Sequence, residues 1–207
     1  MRMITTRWIM LFLAIGVLPA ACLLGGRGAT PPARFHQLES LQDLEPGPKA
    51  LASLPEVSVA VGPVGLAAYL DRPQIVALAG EQELRINEFE RWGEPLESGI
   101  TRVLMDNFAL LLSTSRVAAV TSQAFPKADH QVAIDISRFD GIAGGQAILQ
   151  ARWRILSGGR NLRASQGIVL KEPWPGSDFN SLVKAQSLLL AQLSREIAEG
   201  VAALAKN

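Results

Sequence analysis

The chain is poor in the features that usually announce a chemistry. It has one cysteine in 207 residues, so no disulfide can close within it. It has two histidines, His36 and His130, far apart and in no motif. Lys and Arg number 20 against 19 Asp and Glu. That balance lacks the basic excess with which nucleic-acid binders neutralise phosphates. Only one long apolar run occurs, and it is N-terminal, which excludes a polytopic membrane protein. There is no H-E-x-x-H, P-loop, G-x-G-x-x-G or G-x-S-x-G. Gly141, Gly144 and Gly145 read as a turn between strands rather than a phosphate cradle. Asp71-Arg72 reads as a structural ion pair ahead of Pro73, and Glu88, Glu90 and Glu94 as a solvated edge and a helix start. No catalytic constellation, metal site or cofactor is expected.

What is present is a core-forming composition. Apolar residues make up 48% and charged residues 19%. That excludes general disorder and suits one domain with extensions.

The first 21 residues read as a signal peptide. Arg2 and Arg7 form a positive start, Trp8–Leu18 is apolar, and Pro19-Ala20-Ala21 precedes Cys22. The apolar run is too short to span a bilayer comfortably. Leu18-Pro19-Ala20-Ala21-Cys22 resembles a bacterial lipobox, with Pro19 where Leu is usual. Cleavage before Cys22 would allow lipidation there, with acyl chains such as palmitate providing durable membrane anchoring. Ordinary cleavage near Ala21 would instead leave a free thiol, a liability in an oxidising compartment. Leu23 follows the cysteine where an inner-membrane retention signal would place Asp, which points to the outer membrane. Residues 22–32 are rich in Gly, Pro and small residues and read as a tether.

Residues 33–207 read as one folded domain. Arg34–Leu41 is a weak strand, and Gln42–Glu56, with Pro46, Gly47, Pro48 and Pro55, is a long loop. Val57–Val61 alternates as a strand stopped by Gly62-Pro63, and Leu66–Leu70 suggests a helical turn. Gln74–Leu78 and Glu83–Asn87 form a hairpin. A helix follows from Glu94 to Leu112, with Glu94 as cap, Pro95 in the first turn and an apolar face of Leu96, Ile100, Val103, Leu104, Phe108 and Leu111. Val132–Ser137, Ala147–Ile155 and Leu162–Leu170 form an antiparallel meander. Its Arg138, Arg152 and Arg154 read either as a basic patch or as a solvated face with cross-strand salt bridges. Ser177 or Asp178 caps a final helix reaching Ala205. The expected fold is α/β: a mixed, mostly antiparallel sheet with two long helices packed on one face, in a single domain.

The stretch from Val61 to Asn107 carries a family pattern: Gly62-Pro63-Val64, Tyr69-Leu70-Asp71-Arg72-Pro73-Gln74 and Trp92-Gly93-Glu94-Pro95-Leu96. In this order, behind the cysteine, it resembles the PqiC-type family, the auxiliary lipoproteins of ABC-type transport systems built around MCE proteins. The resemblance covers residues 33–205. It implies a non-catalytic, lipid-anchored subunit on the periplasmic face of the outer membrane, without a cofactor. It implies a homo-oligomeric ring that docks a periplasmic MCE-domain tunnel, with permease components in the inner membrane, and a role in lipid transport and envelope integrity. Tyr69, Asp71, Arg72 and Trp92 are the expected ring or partner contacts; the alternative is that they fix the loop against the first long helix. A stand-alone periplasmic lipid-binding protein or an outer-membrane assembly accessory is the competing functional reading.

Overall fold

A computed structural model describes residues 31–80, 82–122, 124, 127–158 and 160–206. The expected signal peptide, Cys22 and nearly all of the expected tether lie outside the described residues. Pro32 to Asn207 form one compact unit. In chain order its elements are β1 (Arg34–His36), α1 (Leu41–Leu44), β2 (Val59–Leu66), β3 (Gln74–Leu78), β4 (Leu84–Trp92) and α2 (Leu96–Leu111). Then follow β5 (Val117–Ala119), β6 (His130–Gly141), β7 (Gly145–Ser157), β8 (Asn161–Trp174) and α3 (Phe179–Ala205).

The strands form two sheets where the sequence suggested one. One has the order β5-β2-β6-β7-β8 and the other β1-β4-β3. The β6–β7–β8 meander and the β3–β4 hairpin are antiparallel, whereas β2 pairs parallel with both β5 and β6. β1 also joins β4 in parallel. The fold is therefore mixed α/β, with its longest pairings antiparallel.

The core follows from periodicity. On β6 Val132, Ile134 and Ile136 are buried, and on β7 Ala147, Leu149, Ala151, Trp153 and Ile155 are buried. Alternate residues of each strand point to the same face. Onto that face α2 brings Ile100, Val103, Leu104, Phe108 and Leu111, and α3 brings Leu182, Leu189, Leu193, Ile197 and Val201. Each such fully buried side chain stabilises the fold by about 1.5–3 kcal/mol relative to exposure.

Buried polar groups set the alignment of the helices. Asn107 of α2 accepts from the Leu41 backbone N–H at 2.7 Å and donates to Ser194 of α3 at 2.9 Å. One amide thus joins all three helices, and its hydrogen bonds are the condition for burying it.

Several boundaries differ from the expectation for identifiable reasons. The first strand is only three residues, because Ser40 closes onto Asp43 and starts α1. The following loop is fastened to α2: Leu51 and Ala52 donate to the Leu111 carbonyl and Leu54 to that of Leu112. These bonds satisfy carbonyls that a helix C-terminus leaves open. β2 does not stop at Gly62-Pro63. It runs on to Leu66 through a register shift against β6 between Val61 and Val64, with Gly62 at φ 119°. An irregularity of this kind tolerates a proline because no ladder N–H is needed there. At α2 the cap position belongs to Pro95 rather than Glu94. The Glu94 carboxylate is taken by Arg102 at 2.8 Å instead. At α3 the cap is Asp178, which accepts from the Ser181 N–H at 2.9 Å.

Candidate functional site

The Tyr69–Gln74 loop leaves the end of β2 and turns through a Leu70 N–H to Ala67 carbonyl bond of 2.8 Å. Leu70 is fully buried and anchors it. Tyr69 is half-buried, and its hydroxyl donates to Asp140 Oδ2 on β6 at 2.7 Å. Asp140 is itself buried, and Arg138 donates to its other oxygen at 2.7 Å. Burial, then the neighbouring Asp140 carboxylate, push the Tyr69 phenol well above its ordinary pKa. The Tyr69 hydroxyl thereby ties the loop to β6.

Beyond that anchor the loop carries two charged side chains. Asp71 is exposed and Arg72 is half-buried. They form no ion pair with each other, contrary to the expectation from sequence: the Arg72 backbone N–H bonds back to Leu70, and its Nε is buried with no hydrogen-bond partner. Among the described residues Arg72 has no carboxylate partner. Trp92 lies apart in character. It is 7% exposed, belongs to the core, and its backbone N–H donates to the Pro73 carbonyl at 2.8 Å. It fixes the exit of the Tyr69–Gln74 loop from inside the molecule.

Of the acids of β4, Glu88 keeps to the expected solvated edge and Glu90 does not. Glu88 is exposed and bonds Gln74 at 2.8 Å. Glu90 is 2% exposed and sits between Arg34 and His36 of β1. Arg34 Nε donates to Oε1 at 2.8 Å, and His36 Nε2 lies 2.7 Å from Oε2. An ionised carboxylate only accepts, so His36 presents Nε2–H there. Burial alone would raise the Glu90 pKa; the bonds from Arg34 and His36 outweigh it and hold the acid below its ordinary value. This cluster locks β1 onto β4. Sequence reading missed it because Arg34 and Glu90 become neighbours only through the β1–β4 register.

On the outer face of the five-stranded sheet, Arg154 pairs with Asp135 at 2.8 Å and Arg138 with Asp140. The cross-strand reading thus holds for Arg154 alone, since Arg138 pairs with Asp140 along its own strand β6. Arg152 has no such partner among the described residues. The Gly141–Gly145 segment is a turn, with Ile142 and Gln146 bonded across it at 3.0 Å. Among the described residues no group of His, Cys, Asp and Glu could hold a metal, and no helix is long and apolar enough to cross a membrane.

This arrangement of helices on a mixed sheet recurs in solved structures. One is an uncharacterized protein at 17% identity, TM-score 0.66, covering 83% of this chain and 99% of that one. A second is a DUF330-type protein from Xanthomonas campestris at 20% identity, TM-score 0.60, covering 81% of this chain and 90% of that one. The PelC dodecamer from Paraburkholderia phytofirmans is more distant, at 11% identity and TM-score 0.41 over 71% of this chain and 93% of that one. The first two likenesses show a shared fold and nothing finer. No curated protein shows significant similarity to the chain. The family is defined by sequence: residues 40–198 match the ABC-type transport auxiliary lipoprotein component, and the chain belongs to that family.

Proposed function

We propose that the chain is a non-catalytic outer-membrane lipoprotein subunit of an MCE-type ABC transport system. Acylated Cys22 holds it on the periplasmic face of the outer membrane. The domain assembles as a homo-oligomeric ring and docks the periplasmic MCE-domain protein, whose permease components lie in the inner membrane. The assembly serves lipid transport between the membranes and envelope integrity. The observation that carries this reading is the family match over residues 40–198. The lipobox-like run ending at Cys22 agrees with it.

Asp71 and Arg72 are the proposed contact residues. Asp71 is exposed and Arg72 half-buried on a loop pinned by Tyr69 and Trp92, and the buried Arg72 Nε lacks an acceptor within the described chain. A partner carboxylate or carbonyl would complete it. Tyr69 and Trp92 then serve the contact by holding the loop rather than by touching the partner broadly.

The test is a pull-down of the tagged protein from crosslinked cells, with partners identified by mass spectrometry. Recovery of an MCE-domain protein that is lost in Arg72→Ala supports the role and the site together. Reproducible recovery of other envelope proteins without one would overturn it in favour of an assembly accessory.

A further inference from the structure

The larger sheet ends at β8, and no described strand continues it. β8 is 14 residues long, so its outer edge presents a long row of unused backbone donors and acceptors. From Ala164 onward its even-numbered residues face α3: Gln166 donates to Glu196 at 3.0 Å, and Glu172 accepts from Gln192. Its odd-numbered residues face away from the helices. Ser165, Gly167, Val169, Lys171 and Pro173 are all exposed.

On that outer face the register sets Arg154 beside Ser165, Arg152 beside Gly167, Gln150 beside Val169 and Ile148 beside Lys171. Arg154 is committed to Asp135. Arg152 and Lys171 have no ion-pair partner among the described residues. A hollow of about 410 Å³ opens here, lined by Asp135, Ser137, Gln150, Arg152, Gly167 and Val169 among others. Gly167 helps to create it. A Cβ added there would meet nothing within 4 Å, so no side chain stands between Arg152 and the open edge. Val169 is 55% exposed beside it, an apolar residue on the rim.

The geometry points to β8 as a docking edge for an extended acidic segment of a partner protein, added as a further strand. The register defines what the segment carries on its outer face: an acid opposite Gly167, where Arg152 reaches across, an apolar residue opposite Val169, and an acid opposite Lys171. Backbone groups repeating at the strand spacing are matched by another backbone, whereas a lipid headgroup would use the two cations and leave the edge unpaired. A second copy joined edge to edge through β8 would set Lys171 and Arg152 of both copies on one face, and opposed like charges destabilise such a pairing. Lys171 and Pro173 guard the edge against unselective pairing, and the same cations select for an acidic strand.

The probe is a fluorescein-labelled peptide, Thr-Ser-Glu-Thr-Val-Thr-Glu-Ser-Thr, followed by polarisation. Binding to the folded domain is expected, weakening about tenfold or more in Arg152→Glu, a change of roughly 1.4 kcal/mol. It should fall with added salt. Gly167→Leu fills the hollow in open space and should also block binding while the thermal melt is unchanged. Methylating alternate backbone nitrogens along one edge of the peptide should abolish binding. Equal binding of a peptide with Lys in place of Glu, or no binding at millimolar peptide, would overturn the inference. So would capture by phosphatidylglycerol vesicles without capture by the peptide, or self-association that Gly167→Leu removes.

Discussion

Tyr69 and Asp140 are 71 residues apart in sequence, and a 2.7 Å hydrogen bond between them fastens the loop after β2 to the end of β6. Arg138 completes the cluster from the other carboxylate oxygen. The loop that carries Asp71 and Arg72 is therefore positioned by groups outside it, so loop anchoring and loop contact can be separated by mutation.

Tyr69→Phe should lower stability by about 1 kcal/mol, the usual net worth of one hydrogen bond, and Asp140→Asn should cost more, because Arg138 also loses its charged partner. The double mutant should be less than additive, since both changes remove the same bond. Urea unfolding of the two single variants and the double checks this. Strict additivity would mean that the bond contributes nothing. Asp71→Ala and Arg72→Ala, by contrast, should leave the unfolding midpoint nearly unchanged.

Glu90→Ala should be among the costliest polar substitutions in the domain. It removes the acceptor shared by Arg34 and His36 within a site where the carboxylate side chain is 3% exposed. Breaking a buried pair from one side typically costs about 3–5 kcal/mol. Arg34→Ala should cost under about 1 kcal/mol, because that side chain is 62% exposed and solvent screens it. Hydrogen exchange should show β1 opening early in Glu90→Ala. A protected β1 in that variant would show that packing, not the ionic cluster, holds the strand.

Much of this architecture was legible in the sequence, for physical reasons. The long helices and the meander announce themselves because their apolar residues repeat at 3.6 or 2 over many residues. The hairpin between β3 and β4 was legible for the same reason. α1 and β5 were not, being four and three residues long, and of the strand expected over Arg34–Leu41 only the first three residues form β1. Segments that short acquire structure from neighbours, as β1 does from the Arg34–Glu90 register. The candidate loop was legible as a motif, but the division of labour within it was not. Whether Trp92 faces a partner or the core, and whether Arg72 has an acceptor, depend on contacts made by distant strands.

Stability should fall with acid in two stages. Burial lowers the His130 pKa from its ordinary 6.5, so the folded chain resists a proton that the unfolded chain accepts. Stability is then lost as pH drops through about 6.5 and continues to fall until the folded histidine titrates. Glu90, Asp43, Asp129 and Asp178 are held below ordinary carboxylate values. The bonds from Ser40, Ser58 and Ser181 hold the three aspartates there. Their contribution is present above pH of about 4 and disappears below it. His130→Gln should flatten the first stage of a melting-temperature profile and leave the second. An unchanged slope between roughly pH 7.5 and 5.5 in that variant would assign the first stage to another group.

Two glycines on the larger sheet should respond oppositely to alanine. At Gly141 a Cβ would fall 2.7 Å from Leu182 Cδ1 and 2.8 Å from Trp174 Cε3. Trp174 cannot easily give way: its indole N–H donates to Ser181 Oγ at 2.9 Å, and it is 1% exposed. The strain would spread into the start of α3, where Asp178 and Ser181 form the cap, so the cost should reach about 1–3 kcal/mol, typical of overpacking. At Gly167 the same methyl enters open space and needs no unusual backbone angle, so Gly167→Ala should be neutral or slightly stabilising, as alanine suits a strand better than glycine. Paired thermal melts of the two variants compare one junction packed to contact with one deliberately empty. If Gly167→Ala destabilised the fold as much as Gly141→Ala, the hollow beside Arg152 would not be open in solution, and β8 would be covered by something the described chain does not contain.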